Sequence, residues 1–211
     1  MFKRNPLYVL MLTLSVGLIM YTVYANFIHD PHAAAFLNHK TNLKRPLPLT
    51  LWLNVMYVHV FFACLAMASG AINFNEGFLR RSRKGHRING YIYLISVALV
   101  DLTSGYMAPY ATGGKISSVA FNLLNSVWLG MTIAAIVQIR KKRVDKHRKW
   151  MVRSYAFCFT NLFIHLFTYV LNDGLGLDYV LSYRISIYAA IAALFLLAEL
   201  VIRKVYRLGK N

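Results

Sequence analysis

The sequence predicts an all-α fold: a polytopic transmembrane helix bundle of six spans with both termini in the cytoplasm. The chain is 58% hydrophobic over 211 residues, and its mean hydropathy of +0.47 is too high for an ordinary soluble domain. Its apolar residues form six runs, each close to the roughly 20 residues that cross about 30 Å of hydrocarbon. The runs occupy residues 7–25, 51–73, 89–110, 117–139, 153–171 and 181–202.

The positive charge predicts the topology. A net charge of +17 could indicate nucleic-acid binding, but 19 of the 24 Lys and Arg residues lie at the amino terminus, around the loops after spans 2 and 4, or in the tail. The alternate loops hold only Lys40, Lys44, Arg45, Lys115 and Arg184. This alternation follows the positive-inside rule. The expected partners are therefore the lipid bilayer and its anionic head groups, not nucleic acid, while protein partners stay undefined.

The whole chain, 1–211, is expected to be a single integral membrane domain, with the helical bundle at 51–202 and a basic cytoplasmic tail at 203–211. The first span, 7–25, also resembles a signal peptide, because Lys3 and Arg4 precede it and Val23-Tyr24-Ala25 resembles a cleavage site. Its apolar run is longer than the 7 to 15 residues usual for a signal sequence. An uncleaved span is therefore favoured.

The remaining elements follow in order. The loop after span 1 carries His29, His32 and His39, whose spacing indicates a solvated loop and no compact metal site. Span 2 contains small residues at 69–71 that allow close helix packing, and a basic loop leads into span 3. A Gly113-Gly114 turn precedes span 4, a second basic loop precedes span 5, and span 6 descends past Glu199.

Several motifs together resemble a family of predicted bacterial multi-pass membrane proteins known only as a domain of unknown function. The resemblance covers roughly residues 55–200, and its most specific part runs from His147 to Tyr155. It implies a helix bundle in a bacterial inner membrane and no assigned reaction. The chain departs from the family in having His165 where the family usually has an arginine. The matching residues are His59, Gly70, Arg81, His86-Arg87, Gly90, Tyr93, Ser104-Gly105, Gly113-Gly114, Trp128, His147 to Met151, Arg153 to Ala156 and Ala198-Glu199.

A buried polar site is predicted in the outer half of the bundle. An ionisable group at the centre of a span costs about 2.5 to 3.5 kcal/mol on insertion scales, so it tends to face a partner or a water-filled cavity. At 1.5 Å per residue, His59, Asp101 and His165 reach similar depths. The alternative is that these groups only hydrogen-bond across helices. The predicted site comprises His59, Asp101, Asn122, Asn125, Asn161 and His165.

Helical phase adds a polar stripe on span 5. His147 and His165 are five helical turns apart and share one line at about 100° per residue. Ser154, Cys158 and Asn161 fall close to that line. A continuous helix would therefore present polar groups from the cytoplasmic side to the outer leaflet.

A second candidate site lies at the cytoplasmic interface. His86, Arg87, His147, Arg148 and Arg153 sit near the head-group level beside aromatic residues. One interpretation is simple anchoring in the interface. The other is that the histidines and guanidinium groups bind an anion, such as a phosphate head group or an acidic substrate.

Three functions fit these features, and the sequence does not decide whether the protein is an enzyme. The favoured one is a non-catalytic membrane component that binds lipid or protein partners. The second is a redox protein, which would hold haem b between His59 and His165 or a quinone beside His59 and Asp101. The third is a small proton-coupled transporter using Asp101 and His59.

Overall fold

The computed structural model describes residues 6–40 and 46–207, and every regular element in those ranges is helical. The cations Lys3, Arg4, Lys44 and Arg45 and the tail residues 208–211 lie outside the described residues. The all-α fold and the six spans are confirmed, whereas the orientation of the termini stays a prediction. The six long apolar helices are α1 Pro6–His29, α2 Leu49–Asn73, α3 Arg83–Tyr110, α4 Lys115–Arg140, α5 Val144–Gly174 and α6 Tyr179–Val205.

Two helices begin well before their apolar runs. The run of span 3 starts at residue 89, but α3 begins at Arg83; the run of span 5 starts at 153, but α5 begins at Val144. Hydropathy detects the part of a helix that lies in hydrocarbon. Backbone hydrogen bonding continues through charged residues, which have good helix propensity, so the helices extend into the basic loops.

The surface of the molecule is apolar where a soluble protein would be polar. Met20, Leu102 and Leu196 are 68%, 70% and 64% exposed, and only 6% of the apolar window of α1 is buried. A large contiguous apolar surface marks contact with a membrane or a partner. Together with the length of the six helices, this surface makes the chain a multi-pass membrane protein.

Helix α5 is not one continuous α-helix. It runs as α-helix over Val144–Ala156, as a 3-10 turn over Phe157–Phe159, and again as α-helix over Thr160–Tyr169. Three residues of 3-10 geometry advance the phase by about 60° relative to an α-helix. Ser154 is fully buried, whereas Asn161 and His165 are exposed. The predicted stripe therefore does not have one uniform environment.

The described residues divide into two compact units, which are treated separately. Unit 1 takes them from Met1–His39 and Pro48–Thr103, and unit 2 from Lys40–Leu47 and Ser104–Asn211. Helix α3 is shared, since its residues up to Thr103 belong to unit 1. Helices α4, α5 and α6 belong to unit 2.

Unit 1 is joined by polar contacts between its helices. Tyr8 Oη of α1 donates to Ala71 O of α2 at 3.4 Å. Asn89 Nδ2 of α3 donates to Ser69 O at 2.7 Å and to Asn73 Oδ1 at 2.9 Å. Small side chains at Ser69 and Ala71 let α3 come close enough for Asn89 to reach the backbone of α2. Both small residues are buried, as close packing of the helices requires.

Unit 2 packs around an apolar cluster shared by its three helices. Consecutive helices are joined by short turns, so the unit has two ends. We call the one around residues 138–150 and 199–205 the basic end, and the one around residues 110–117 and 172–184 the opposite end. The cluster comprises Ala120, Ile164, Tyr183, Ile187 and Ala190, with Phe121, Phe163 and Phe167 packed against it.

Candidate functional site

In unit 1, His59 is held by Thr103. The two are 3.0 Å apart between Nδ1 and Oγ1, and the Thr103 hydroxyl lies 2.7 Å from Leu99 O and 2.9 Å from Val100 O. That hydroxyl has a single hydrogen, which serves one of these three neighbours. The contact joins α2 to α3 whichever ring nitrogen of His59 carries the proton.

Asp101 is the most unusual polar residue of unit 1. Its side chain is 9% exposed, and neither carboxylate oxygen has a hydrogen-bond partner within the described residues. Thr103 lies two positions further along α3, about 200° around the helix. His59 therefore bonds a different face of α3, and the hydrogen bond expected of a His59–Asp101 proton pair is not formed.

The other four members of the predicted buried site belong to unit 2. Asn125 is 9% exposed, whereas Asn122, Asn161 and His165 are exposed. The six-residue site draws on both units, and it stays a prediction. The same holds for haem ligation by His59 and His165, since these two histidines belong to different units.

The residues predicted at the basic interface have different environments. His147 lies 2.8 Å through Nδ1 from Ala135 O of α4; a carbonyl only accepts, so Nδ1–H donates and ties α5 to α4. Arg87 and Arg148 are exposed, and His86 is half-buried. Arg148 thus remains available for an anion, while His147 already has a structural role.

Arg153 forms an ion pair that sequence reasoning did not predict. Its Nε lies 2.5 Å from Glu199 Oε1 of α6, and the side chains are 19% and 28% exposed. The guanidinium carbon also lies 4.7 Å from the centre of the Trp150 ring, a cation–π distance. The sequence contained a signal for this pair. Glu199 is the single carboxylate of span 6, and a carboxylate within a span is expected to pair with a cation. Arg153 therefore joins α5 to α6 and is not a free anion-binding group.

A buried hydroxyl pair lies near this ion pair in the chain. Thr132 Oγ1 of α4 and Ser154 Oγ of α5 are 2.7 Å apart, with 1% and 0% exposure. Thr132 Oγ1 also bonds Trp128 O at 2.9 Å. With the His147 and Arg153 contacts, this pair fixes the three helices of unit 2 at the basic end. Most polar groups there form hydrogen bonds or ion pairs with one another. This arrangement is typical of a structural scaffold and not of a reaction centre.

Comparison with known proteins assigns a family. No curated protein and no solved structure matches the chain. One family profile, described as "Predicted membrane protein (DUF2306)", matches residues 56–202, close to the stretch from 55 to 200 on which the resemblance was noted. The match spans α2 to α6 and includes both His59 and Glu199. Because it covers well over half of the sequence, the chain belongs to the DUF2306 family of predicted membrane proteins.

Proposed function

We propose that this protein is a non-catalytic component of the bacterial inner membrane whose basic loops face the cytoplasm and bind anionic lipid head groups. The observation that supports this best is the turn between α4 and α5. The cations of residues 140–148, in and around this turn, are all exposed, and none forms an ion pair within the described part of the chain. They are Arg140, Lys141, Lys142, Arg143, Lys146 and Arg148.

Charge and depth both favour a lipid partner. The turn has a single carboxylate, Asp145, so its net charge is strongly positive. It directly follows and precedes membrane-spanning helices, which keeps it at the head-group level. Each Lys or Arg close to an anionic leaflet contributes about 1 kcal/mol of attraction, and Trp150 provides an interfacial anchor.

The orientation is tested by labelling single cysteines. In a background with Cys64 and Cys158 replaced by Ala, Lys142→Cys should react with an impermeant maleimide only after the cells are permeabilised. The matched control, Asp173→Cys, is an exposed residue of the opposite end and should react in intact cells. Labelling in the reverse pattern would overturn the proposed topology.

Lipid binding is tested on the purified protein in nanodiscs. Replacing Lys141, Lys142 and Lys146 by Gln should weaken association with phosphatidylglycerol by roughly a hundredfold at low salt and by less at high salt. Replacing the same three residues by Arg preserves the charge and should leave binding intact. Equal binding by the Gln and Arg variants, or equal binding to phosphatidylcholine, would contradict the proposal.

A second candidate function, proton-coupled transport, is favoured by Asp101. A buried carboxylate with no donor around it is very costly when ionised, so the group should hold a proton at rest and release it only when water reaches it. In proteoliposomes, Asp101→Asn should abolish a proton flux that the exposed-site control Asp173→Asn retains. Undiminished flux in Asp101→Asn, or no flux in the unmodified protein, would reject this candidate.

A further inference from the structure

The turn before α4 gathers cations from separate parts of the sequence. Lys40 donates through Nζ to Tyr110 O, and Arg184 of α6 donates through Nε to Gly113 O at 3.0 Å. Lys115 is the first residue of α4. Three of the five cations assigned to the sparsely charged loops therefore meet at one turn of unit 2.

Gly113 allows this close approach. Its φ of +87° is a conformation that L side chains rarely adopt. A Cβ atom placed there would lie 2.5 Å from Ser117 Oγ, 2.9 Å from Arg184 Cγ and 3.0 Å from Arg184 Nε. The Ser117 hydroxyl and the Arg184 side chain thus approach the same small volume beside the backbone of Gly113.

The groups that converge here are nearly all hydrogen-bond donors. Gly114 is the N-cap of α4, and no side chain caps the helix, so the first-turn N–H groups have no acceptor within it. Ser117 and Thr112 are 0% and 3% exposed, yet their hydroxyl oxygens have no hydrogen-bond partner among the described residues. Buried hydroxyls of this kind are normally satisfied.

The charges that the structure describes at this turn are also mainly positive. Arg184 forms no ion pair with any carboxylate that the structure describes, and the helix start adds about half a positive charge. Burial lowers the pKa of the Lys40 amino group to about 8, which is the usual effect of removing a cation from water. Within the described residues, Arg184 and the helix start therefore give this turn a positive charge.

We propose that the start of α4 binds a phosphate group between the Arg184 guanidinium, the Ser117 hydroxyl and the first-turn N–H groups. An Arg beside a helix N-terminus is a recurrent arrangement for phosphate recognition. The group belongs either to a soluble phosphate compound or to a phospholipid head group, since both present the same oxygens. The site is separate from the basic loops and does not depend on their role.

The test is thermal unfolding of the purified full-length protein in nanodiscs. Inorganic phosphate added to phosphatidylcholine nanodiscs probes the soluble source, and incorporation of phosphatidylglycerol probes the lipid source. Stabilisation of the unmodified protein by either one, relative to chloride at equal ionic strength, supports the site. Absence of stabilisation by both would overturn it.

Three variants locate the effect. Arg184→Gln should weaken the stabilising ligand at least tenfold, whereas Arg203→Gln, an exposed cation of the basic end, should leave it unchanged. Ser117→Ala removes a hydroxyl that has no hydrogen-bond partner among the described residues, so this variant should fold normally and still lose several-fold in ligand affinity. Equal loss in Arg184→Gln and Arg203→Gln, or full affinity in Ser117→Ala, would contradict the proposal.

The variant with Lys141, Lys142 and Lys146 replaced by Gln should keep the stabilisation by phosphate. This result would separate the site at the start of α4 from the basic loops.

Discussion

At the basic end of unit 2, many cations stand exposed around the turn after α4, and the half-buried Arg153 has its own carboxylate in Glu199. At the opposite end there are few cations, and two of them, Lys40 and Arg184, donate hydrogen bonds to backbone carbonyls. The two ends therefore use positive charge differently. Many exposed cations at one end are what the positive-inside rule predicts for the cytoplasmic side. A cation held beside hydrogen-bond donors that have no acceptor among the described residues indicates instead a binding site for an anion.

The largest expected effect concerns the backbone of the opposite end. Gly113→Ala should destabilise the protein by about 3 kcal/mol, because it combines a positive φ with a Cβ that collides with Ser117. Gly114→Ala is the matched control: its φ is +66° and its ψ is −140°, but nothing lies within 4 Å of the added Cβ, so only the backbone strain remains and the cost should be smaller, about 1 to 2 kcal/mol. Both are measured by denaturant unfolding in micelles. Equal losses would show that the turn is not closely packed around Gly113.

The next largest effect is expected at the ion pair of Arg153 and Glu199 at the basic end. Glu199→Gln leaves the Arg153 guanidinium without its anion and should cost about 2 kcal/mol, less than a fully buried pair because both groups are partly exposed. The pair of Glu76 and Arg80 serves as control, since its side chains are 78% and 67% exposed. Glu76→Gln should cost less than about 0.5 kcal/mol. A cost as small for Glu199→Gln would mean that the two ends do not differ in charge pairing.

A smaller effect is expected from the hydroxyl pair that fixes α4 to α5. Thr132→Val should cost about 1 kcal/mol, since interhelical hydrogen bonds in membrane proteins are individually weak. Ser126→Ala removes an exposed hydroxyl that bonds only its own helix at Asn122 O and should be close to neutral. Thermal unfolding of both variants in the same detergent makes the comparison. A neutral Thr132→Val would remove this pair from the scaffold.

The last effect is a pH dependence at the opposite end, which is spread over more than two pH units. The folded pKa of Lys40 is about 8 and the ordinary value is 10.5, so between these values the unfolded chain binds more protons than the folded one. Stability should therefore rise as pH increases from about 8 to 10.5, and Lys40→Met should remove that part of the rise. Lys115→Met, at an exposed position, should leave it in place. If phosphate is bound, it should raise the folded pKa of Lys40 and shrink the rise.

The helices were predictable from sequence because the membrane imposes a length and an apolar composition on every span. Their true ends were less predictable: residues Arg83 to Ile88 and Val144 to Val152 are helical although they are largely polar. Hydropathy responds to the solvent around a side chain and is insensitive to the backbone hydrogen bonds that continue into the head-group layer.

The site was harder to predict, since equal depth on different helices does not establish contact. Asp101 and His59 were predicted to share one site because of their similar depth, yet His59 bonds Thr103 and Asp101 has no hydrogen-bond partner within the described residues. Arg153 and Glu199 were each noted and not paired. Pairing depends on how two helices are rotated about their own axes, and a single sequence carries that information only weakly.

The 3-10 turn at Phe157–Phe159 has a consequence for any residue-by-residue scan of α5. Tolerance to substitution, or accessibility of introduced labels, would follow one sine wave up to Ala156 and the same wave displaced in phase after Thr160. A single helical wheel fitted through the whole segment would keep most of the periodicity but would misplace the exposed face of each half by about 30°. If the data for the two halves of α5 are fitted separately, each half should show a clear period near 3.6 residues.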